Sequence, residues 1–85
     1  MKNLTELRAM IEAIDDQMLD LFKQRMNISK DIGQLKKEQH LPVFDPKREK
    51  ALFDLQKQKL NNETLWPFYL SFYKHLISLS KEIQQ

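Results

Sequence analysis

The chain has 85 residues, no cysteine, and a formal net charge of +2 from 14 basic and 12 acidic side chains. This length corresponds to one small domain, the lack of cysteine excludes disulfides and thiolate metal sites, and the near-balance of charge argues against a nucleic-acid-binding protein. No apolar run approaches the ~20 residues of a membrane span and the N-terminus lacks the apolar core of a secretory signal, so we expect a cytoplasmic protein that binds no membrane.

The first predicted element is a very long amphipathic helix at about residues 4–38. Its apolar positions alternate in spacing between three and four residues, as in a heptad repeat. This apolar seam contains nine apolar residues and one cation: Leu4, Leu7, Ile11, Ile14, Met18, Leu21, Arg25, Ile28, Ile32 and Leu35. Such a helix is ~50 Å long. A compact domain of this size has a radius of gyration of ~12 Å and therefore a diameter of roughly 30 Å, which is shorter than the helix. We therefore expect the helix to extend beyond its own chain and to pack against a second copy or another protein.

Three cations of this helix have more than one interpretation. Arg25 either sets the register of helix pairing, extends to solvent, or is a buried cation that binds an anion. Lys36 lies ~16 Å further along the axis in nearly the same direction, so the two side chains could bind one small dianion, although Lys36 alone is more simply a solvated lysine. Arg8 is ~25 Å from Arg25 and, taken alone, is an ordinary surface residue. An antiparallel partner helix could place a second Arg8 beside Arg25.

Gly33 is the only glycine in the chain. A glycine within a helix costs ~1 kcal/mol relative to alanine. Its position indicates the close approach of either another helix or a ligand, and the sequence leaves both interpretations open.

The second predicted helix covers about residues 46–60 and begins beside several charged residues. Asp45 is expected to be the N-cap, followed by proline as the first helical residue. Arg48 and Glu49 both share a helix face with Leu52, so both side chains should lie at the edge of the core. The short preceding loop should return this helix start to the C-terminal end of the first helix. The two acidic residues also complement the helix dipole, which explains their presence without any ligand.

The third predicted helix covers about residues 65–84. Its apolar stripe consists of residues spaced mainly by three or four: Leu65, Phe68, Phe72, Leu76, Leu79 and Ile83. Ser80 and Gln84 are one turn apart, with Ile77 one turn earlier, and together they form a half-polar face. A serine and a glutamine near a C-terminus are ordinarily surface residues. The two histidines have no partner at metal-ligand spacing, so no metal site is expected.

Together these features resemble the all-α class of chorismate mutases, the intertwined dimeric type. The matching segments, in chain order, are LRAMIEAIDDQMLDLFKQR, IGQLKK, PVFDPKRE and SLSKEIQQ. The resemblance implies a single all-α domain over residues 1–85, with three helices per chain and a very long first helix, in an intertwined helical homodimer. It also implies an isomerase of aromatic amino-acid biosynthesis that converts chorismate to prephenate without a cofactor or a metal.

The resemblance further implies roles for five polar side chains. Arg25 and an Arg8 donated by the partner protomer would bind the two carboxylates of chorismate. Lys36 would contact a carboxylate and the ether oxygen, and Gln84 would donate to that same oxygen. Glu49 would accept a hydrogen bond from the ring hydroxyl.

Five more residues are implied to complete the binding site. The backbone at Asp45 would assist at the ring hydroxyl, and Arg48 and Ser80 would complete the polar lining. Ile32 and Ile77 would form its apolar walls.

Three alternatives remain beside the mutase interpretation. An isochorismate-pyruvate lyase has the same fold and a similar cationic pocket, but Gln84 and Glu49 both match the mutase pattern. A weakly active regulatory module could bind chorismate or prephenate for a fused or associated aromatic-pathway enzyme. A coiled-coil adaptor would leave Arg25 and Glu49 unexplained.

Overall fold

The computed structural model describes residues 1–85 and contains three helices and no strands. They are α1 (Leu4–Glu38), α2 (Pro46–Leu60) and α3 (Trp66–Gln84). The predicted all-α class with a very long first helix is confirmed, and α3 begins one residue after its predicted start. None of the three helices combines the length and the apolarity needed to cross a membrane.

The starts of α1 and α2 follow from their capping residues. The side chain of Asn3 accepts a hydrogen bond from the Glu6 amide at 2.9 Å. The side chain of Asp45 accepts one from the Arg48 amide at 3.1 Å, with proline in the first turn of α2. Each cap satisfies an amide that has no partner within its own helix, which fixes where the helix begins.

Two asparagines make the connection between α2 and α3. Asn61 adopts the left-handed conformation, with φ of 45°, and ends α2. Asparagine tolerates this conformation better than most residues. The side chain of Asn62 accepts a hydrogen bond from the Leu65 amide at 3.0 Å, so the chain makes a turn before α3 begins.

The small core lies along α3, which packs against both other helices, whereas α1 and α2 do not pack directly on one another. Tyr73 and Ile77 are its buried apolar side chains, and the ring of Phe53 contacts Tyr73 edge-on at 5.3 Å between centroids. The Tyr69 hydroxyl donates to Gln56 at 2.8 Å, which links α3 to α2. Burial raises the pKa of the Tyr69 phenol, and Tyr73 adds to that rise.

Gly33 allows the C-terminal end of α3 to lie directly against α1. A Cβ atom at this position would lie 2.5 Å from the Gln84 Cα and 2.6 Å from the Gln84 carbonyl oxygen. These are backbone atoms, which cannot rotate away. Of the two interpretations of this glycine, the structure supports the close approach of another helix.

Much of α1 extends beyond the rest of the chain. The molecule measures 56 × 26 × 16 Å, and its radius of gyration of 16.2 Å exceeds the ~12 Å of a compact domain of this length. Six residues of the apolar seam in the N-terminal half of α1 are 46–62% exposed: Leu4, Leu7, Ile11, Ile14, Met18 and Leu21. The expected overhang of α1 is therefore present.

Candidate active site

A groove of about 490 Å³ lies between the C-terminal half of α1, the loop before α2, the first turn of α2 and the last turns of α3. We call it the polar groove. Nine of the ten site residues predicted from the sequence line it: Arg25, Ile32, Lys36, Asp45, Arg48, Glu49, Ile77, Ser80 and Gln84. The structure thus brings together residues from all three helices, between positions 25 and 84, at one place.

Arg25 is turned toward α3 at one end of the polar groove. Its guanidinium donates a hydrogen bond to the Ser80 hydroxyl at 2.5 Å. The same hydroxyl lies 2.5 Å from that of Ser29, and both serines are buried. The guanidinium is therefore held by Ser80, which Ser29 in turn fixes, and its other N–H donors are left for a ligand.

Lys36 lies at the opposite end of the polar groove. Its ammonium donates to the Val43 carbonyl oxygen at 2.9 Å. An ammonium has three donors, so this bond orients the side chain and leaves further donors. Lys36 is half-buried, and the neighbouring Lys37 is exposed.

Two side-chain oxygens in the polar groove are buried without a hydrogen-bond partner. They are Oε1 of Glu49 and Oε1 of Gln84. The ammonium of Lys81 lies 2.8 Å from Glu49 Oε1, so the two groups form an ion pair. Their geometry does not meet the angular requirements of a hydrogen bond. Buried polar atoms are nearly always paired in folded proteins, so the unpaired Gln84 oxygen, on a residue that lines the groove, is typical of a binding site.

The polar groove has a surplus of positive charge. Its lining includes two carboxylates and four cationic side chains: Asp45, Glu49, Arg25, Lys36, Arg48 and Lys81. The surplus of two positive charges complements a small dianion. Because the groove is partly enclosed by protein, these charges are screened less than they would be on an open surface.

Arg8 does not line the polar groove. It is exposed on the N-terminal part of α1, ~25 Å along the helix from Arg25. Within one chain, Arg8 and Arg25 cannot bind the same small molecule.

Five residues that line the polar groove were not predicted as site residues: Ile28, Ser29, Val43, Leu52 and Lys81. Ser29 lies one turn after Arg25 on the same face of α1, and Lys81 lies one turn after Ile77 on α3, so helical spacing could have indicated both. Val43 contributes through its carbonyl oxygen, and nothing in the identity of that side chain indicates such a role.

Comparison with known proteins identifies a family for nearly the whole chain. The family described as chorismate mutase type II matches residues 7–85. A bifunctional chorismate mutase/prephenate dehydratase from Aquifex aeolicus is 33% identical over 92 residues, covering 99% of this chain and 25% of that protein. A chorismate mutase from Methanocaldococcus jannaschii is 36% identical over 53 residues, covering 62% of this chain and 54% of that protein.

A solved structure gives the same fold over the full length. A conserved hypothetical protein from Pyrococcus furiosus aligns with a TM-score of 0.81 at 29% identity, covering 100% of this chain and 99% of that one. By contrast, the chain spans only about a quarter and about half of the lengths of the two named relatives. On the match over residues 7–85, the chain belongs to the chorismate mutase type II family.

Proposed function

We propose that the chain catalyses the rearrangement of chorismate to prephenate in the polar groove. The observation that supports this most directly is the convergence of Arg25, Lys36, Glu49 and Gln84 on one groove with two surplus positive charges. Chorismate is a dianion with two carboxylates, an ether oxygen and a ring hydroxyl. The groove offers cations for the carboxylates, donors for the ether oxygen and an acceptor for the hydroxyl.

The reaction requires orientation and charge stabilisation rather than a nucleophile. In one pericyclic step the ether C–O bond breaks while a C–C bond forms, and negative charge develops on the ether oxygen. Arg25, at one end of the groove, binds a carboxylate and helps to hold the substrate in its folded, reactive conformer. Lys36 and Gln84 donate to the ether oxygen, where fixed donors in a dry site stabilise the developing charge. Binding the transition state more tightly than the substrate accounts for the acceleration.

The remaining residues of the polar groove hold the substrate from its other sides. Glu49 accepts a hydrogen bond from the ring hydroxyl, assisted by the backbone at Asp45. Arg48 and the Ser80 hydroxyl complete the polar lining, while Ile32 and Ile77 are its apolar walls. These roles follow the family pattern, and the position of every one of these residues in the groove supports them.

We also propose that the protein is an intertwined homodimer. The accessible surface of 7342 Å² exceeds by about 2,000 Å² the value of about 5,400 Å² expected for a compact monomer of 10.3 kDa. A standard interface buries about 800 Å² on each partner, so the excess is ample for a stable dimer. The exposed seam of α1 has the heptad spacing that pairs with another helix. In an antiparallel pair, Arg8 of one protomer reaches the groove of the other and binds the second carboxylate.

A second groove, of about 500 Å³, supports the same proposal. It lies between the middle of α1 and α3 and is mainly apolar, lined by Met18, Leu19, Leu21, Phe22, Phe72, Leu76 and Leu79. It is continuous with the exposed seam through Met18 and Leu21. A partner helix that covered the seam would therefore also fill this groove and remove its apolar surface from water.

Two relatives support fusion or association of this chain with another aromatic-pathway enzyme, because the matched segment is only a part of each of them. The Aquifex aeolicus protein is named as bifunctional, and a T-protein of Haemophilus influenzae is 33% identical over 63 residues that make up 16% of its length. We propose such an association for this chain as well. Co-purification with enzymes that act on prephenate would test it.

The proposed activity is tested by incubating the purified chain with chorismate. Loss of the ultraviolet absorbance of chorismate gives the rate, and chromatography identifies the product. Prephenate as the product supports the mutase. Pyruvate release from isochorismate, in a parallel assay, identifies the lyase instead. A folded, dimeric chain that binds chorismate without turnover contradicts the mutase proposal and supports a regulatory module.

A further inference from the structure

Lys81 lines the polar groove but has no role in the reaction as proposed so far. It lies on α3 next to Ser80, and its side chain is 34% exposed. Most exposed lysines on a helix extend into solvent, because their charge is strongly hydrated. Lys81 instead turns toward the first turn of α2.

The ammonium of Lys81 contacts two separate segments of the chain. It lies 2.8 Å from Glu49 Oε1 in α2 and 4.7 Å from the centroid of the Phe44 ring in the preceding loop. The Glu49 side chain is only 22% exposed, so salt screens this pair less than a pair on the open surface. The cation–π contact adds a second attachment. One side chain of α3 thereby joins the loop and the start of α2 to the far wall of the groove.

We propose that Lys81 is a positioning residue that holds the carboxylate of Glu49 in the orientation required by the substrate. Oε1 of Glu49 is buried beside the ammonium, which directs the second oxygen, Oε2, to the ring hydroxyl of the bound substrate. This inference rests on the proposed function, because it concerns the group that accepts the hydroxyl. Lys81 would act through Glu49 and would not contact the reacting atoms of the substrate.

Two roles for Lys81 predict different kinetics. A lysine that only adds positive charge to the groove would strengthen binding of the dianion in the ground state and the transition state alike, so its loss would raise KM with kcat unchanged. A lysine that fixes the orientation of Glu49 affects how the substrate is aligned, so its loss lowers kcat. The proposal requires the second result.

The test compares three single variants with the wild-type chain. Lys81→Met keeps the unbranched side chain except for its terminal ammonium and removes the charge, and we expect kcat to fall by about ten- to a hundredfold. Lys81→Arg keeps the charge and the reach and should recover most of the lost rate. Lys50→Met is the matched control, because it removes a lysine paired with Asp54 at 2.9 Å on the exposed face of α2. The control should retain the wild-type kcat and KM.

A double-mutant cycle with Glu49→Gln tests whether Lys81 acts through that carboxylate. Lys81→Met should have little further effect on kcat in the Glu49→Gln background, because the group that it orients has already been changed. An equal loss of kcat in both backgrounds would overturn the proposal, as would an effect on KM alone. If Lys81→Met does not fold, Lys81→Gln is used in its place.

The same four proteins of the cycle are also compared by urea unfolding at one fixed protomer concentration. Lys81→Met should lower the unfolding midpoint in the wild-type background and lower it less in the Glu49→Gln background. This measurement does not depend on turnover. If the wild-type chain is inactive but Lys81→Met affects the midpoint less in the Glu49→Gln background, the mutase proposal is overturned and the contact of Lys81 with Glu49 stands. If Lys81→Met affects the midpoint equally in both backgrounds, the role of Lys81 is overturned whether or not the chain is active.

Discussion

At the scale of single residues, the polar groove differs from the rest of the surface in how its polar side chains are held. Arg25 is bound to the buried hydroxyl of Ser80, Lys36 to a carbonyl oxygen and Glu49 to Lys81. Each tether reduces the side-chain freedom that binding would otherwise have to remove. The site is therefore largely preorganised, and the loss of one tether or donor should have a measurable effect.

Replacing Lys36 by alanine removes a cation at the end of the polar groove. We expect kcat for prephenate formation to fall by about 10²–10³-fold, since a fixed donor to the developing negative charge is lost. Lys37→Ala is the matched control, because Lys37 is adjacent, exposed and outside the groove. Steady-state kinetics of both variants give the comparison. Equal rates for the two variants would contradict the role of Lys36.

Replacing Gln84 by glutamate should make the activity depend on acid. At neutral pH the introduced carboxylate is ionised and repels the negative charge that develops on the ether oxygen, so kcat should fall. As the pH is lowered the carboxyl gains a proton, becomes a donor, and kcat should rise. The wild-type amide does not titrate, so its kcat should not rise in acid.

The pH profiles of kcat for wild type, Gln84→Glu and Gln85→Glu provide the measurement. Gln85 is exposed and does not line the groove, so its variant should follow the wild-type profile. A rate for Gln84→Glu that fell toward acid pH would be the opposite of the expected result.

At the scale of helices, the contact between α1 and α3 determines where the half-polar face of α3 lies. Gly33 admits the backbone of Gln84 against α1, which places Ser80 beside Arg25 and the Gln84 side chain in the groove. A larger residue at position 33 would separate the two helices at the site itself.

Gly33→Ala should therefore reduce both stability and activity. The added methyl group would overlap the Gln84 backbone, which cannot rotate away, so the cost should be about 3 kcal/mol, at the upper end for overpacking, and should outweigh the gain of about 1 kcal/mol in helix propensity. Urea unfolding at fixed protomer concentration and kcat are the measurements, with the exposed neighbour changed in Gln34→Ala as the control. A more stable and fully active Gly33→Ala chain would show that α3 does not approach α1 this closely.

At the scale of the whole molecule, the overhang of α1 determines what a single chain can do. Its exposed seam and the apolar groove are continuous, and Arg8 lies at the far end from the groove of its own chain. In the proposed homodimer, a second copy would cover the apolar surface and would supply the distant arginine by the same contact. Assembly and activity should therefore be inseparable.

Mixing two inactive variants tests the sharing of residues between protomers. Arg8→Ala and Arg25→Ala should each lose most activity alone. In a mixed dimer, one of the two sites has both arginines intact, so an equal mixture should recover about a quarter of the wild-type rate. Exchange of subunits is verified by mass spectrometry, and the mass in solution should be twice that of the 10.3 kDa chain. Verified exchange without recovery would refute the sharing of Arg8.

The helices could be predicted from the sequence for a local reason, and most of the candidate site could be predicted for a different one. Heptad spacing, the caps Asn3 and Asp45 and the prolines act within a few residues, so the sequence specifies where α1 and α2 begin. The predicted start of α3 is one residue earlier than the observed one. The Asn62 side chain accepts a hydrogen bond from the Leu65 amide, which extends the turn before the helix. The candidate residues were identified through the family pattern, which fixes their order along the chain.

The sequence by itself determined three helices, an overhanging first helix and a set of charged residues at the edges of its apolar faces. Only the tertiary structure decided that Gly33 contacts α3, that Arg25 bonds to Ser80, and that Lys81 turns to Glu49. The physical reason is the separation along the sequence of the residues that interact. Helix formation depends on hydrogen bonds four residues apart, whereas the polar groove depends on contacts between residues up to 55 positions apart, set by how closely two helices approach.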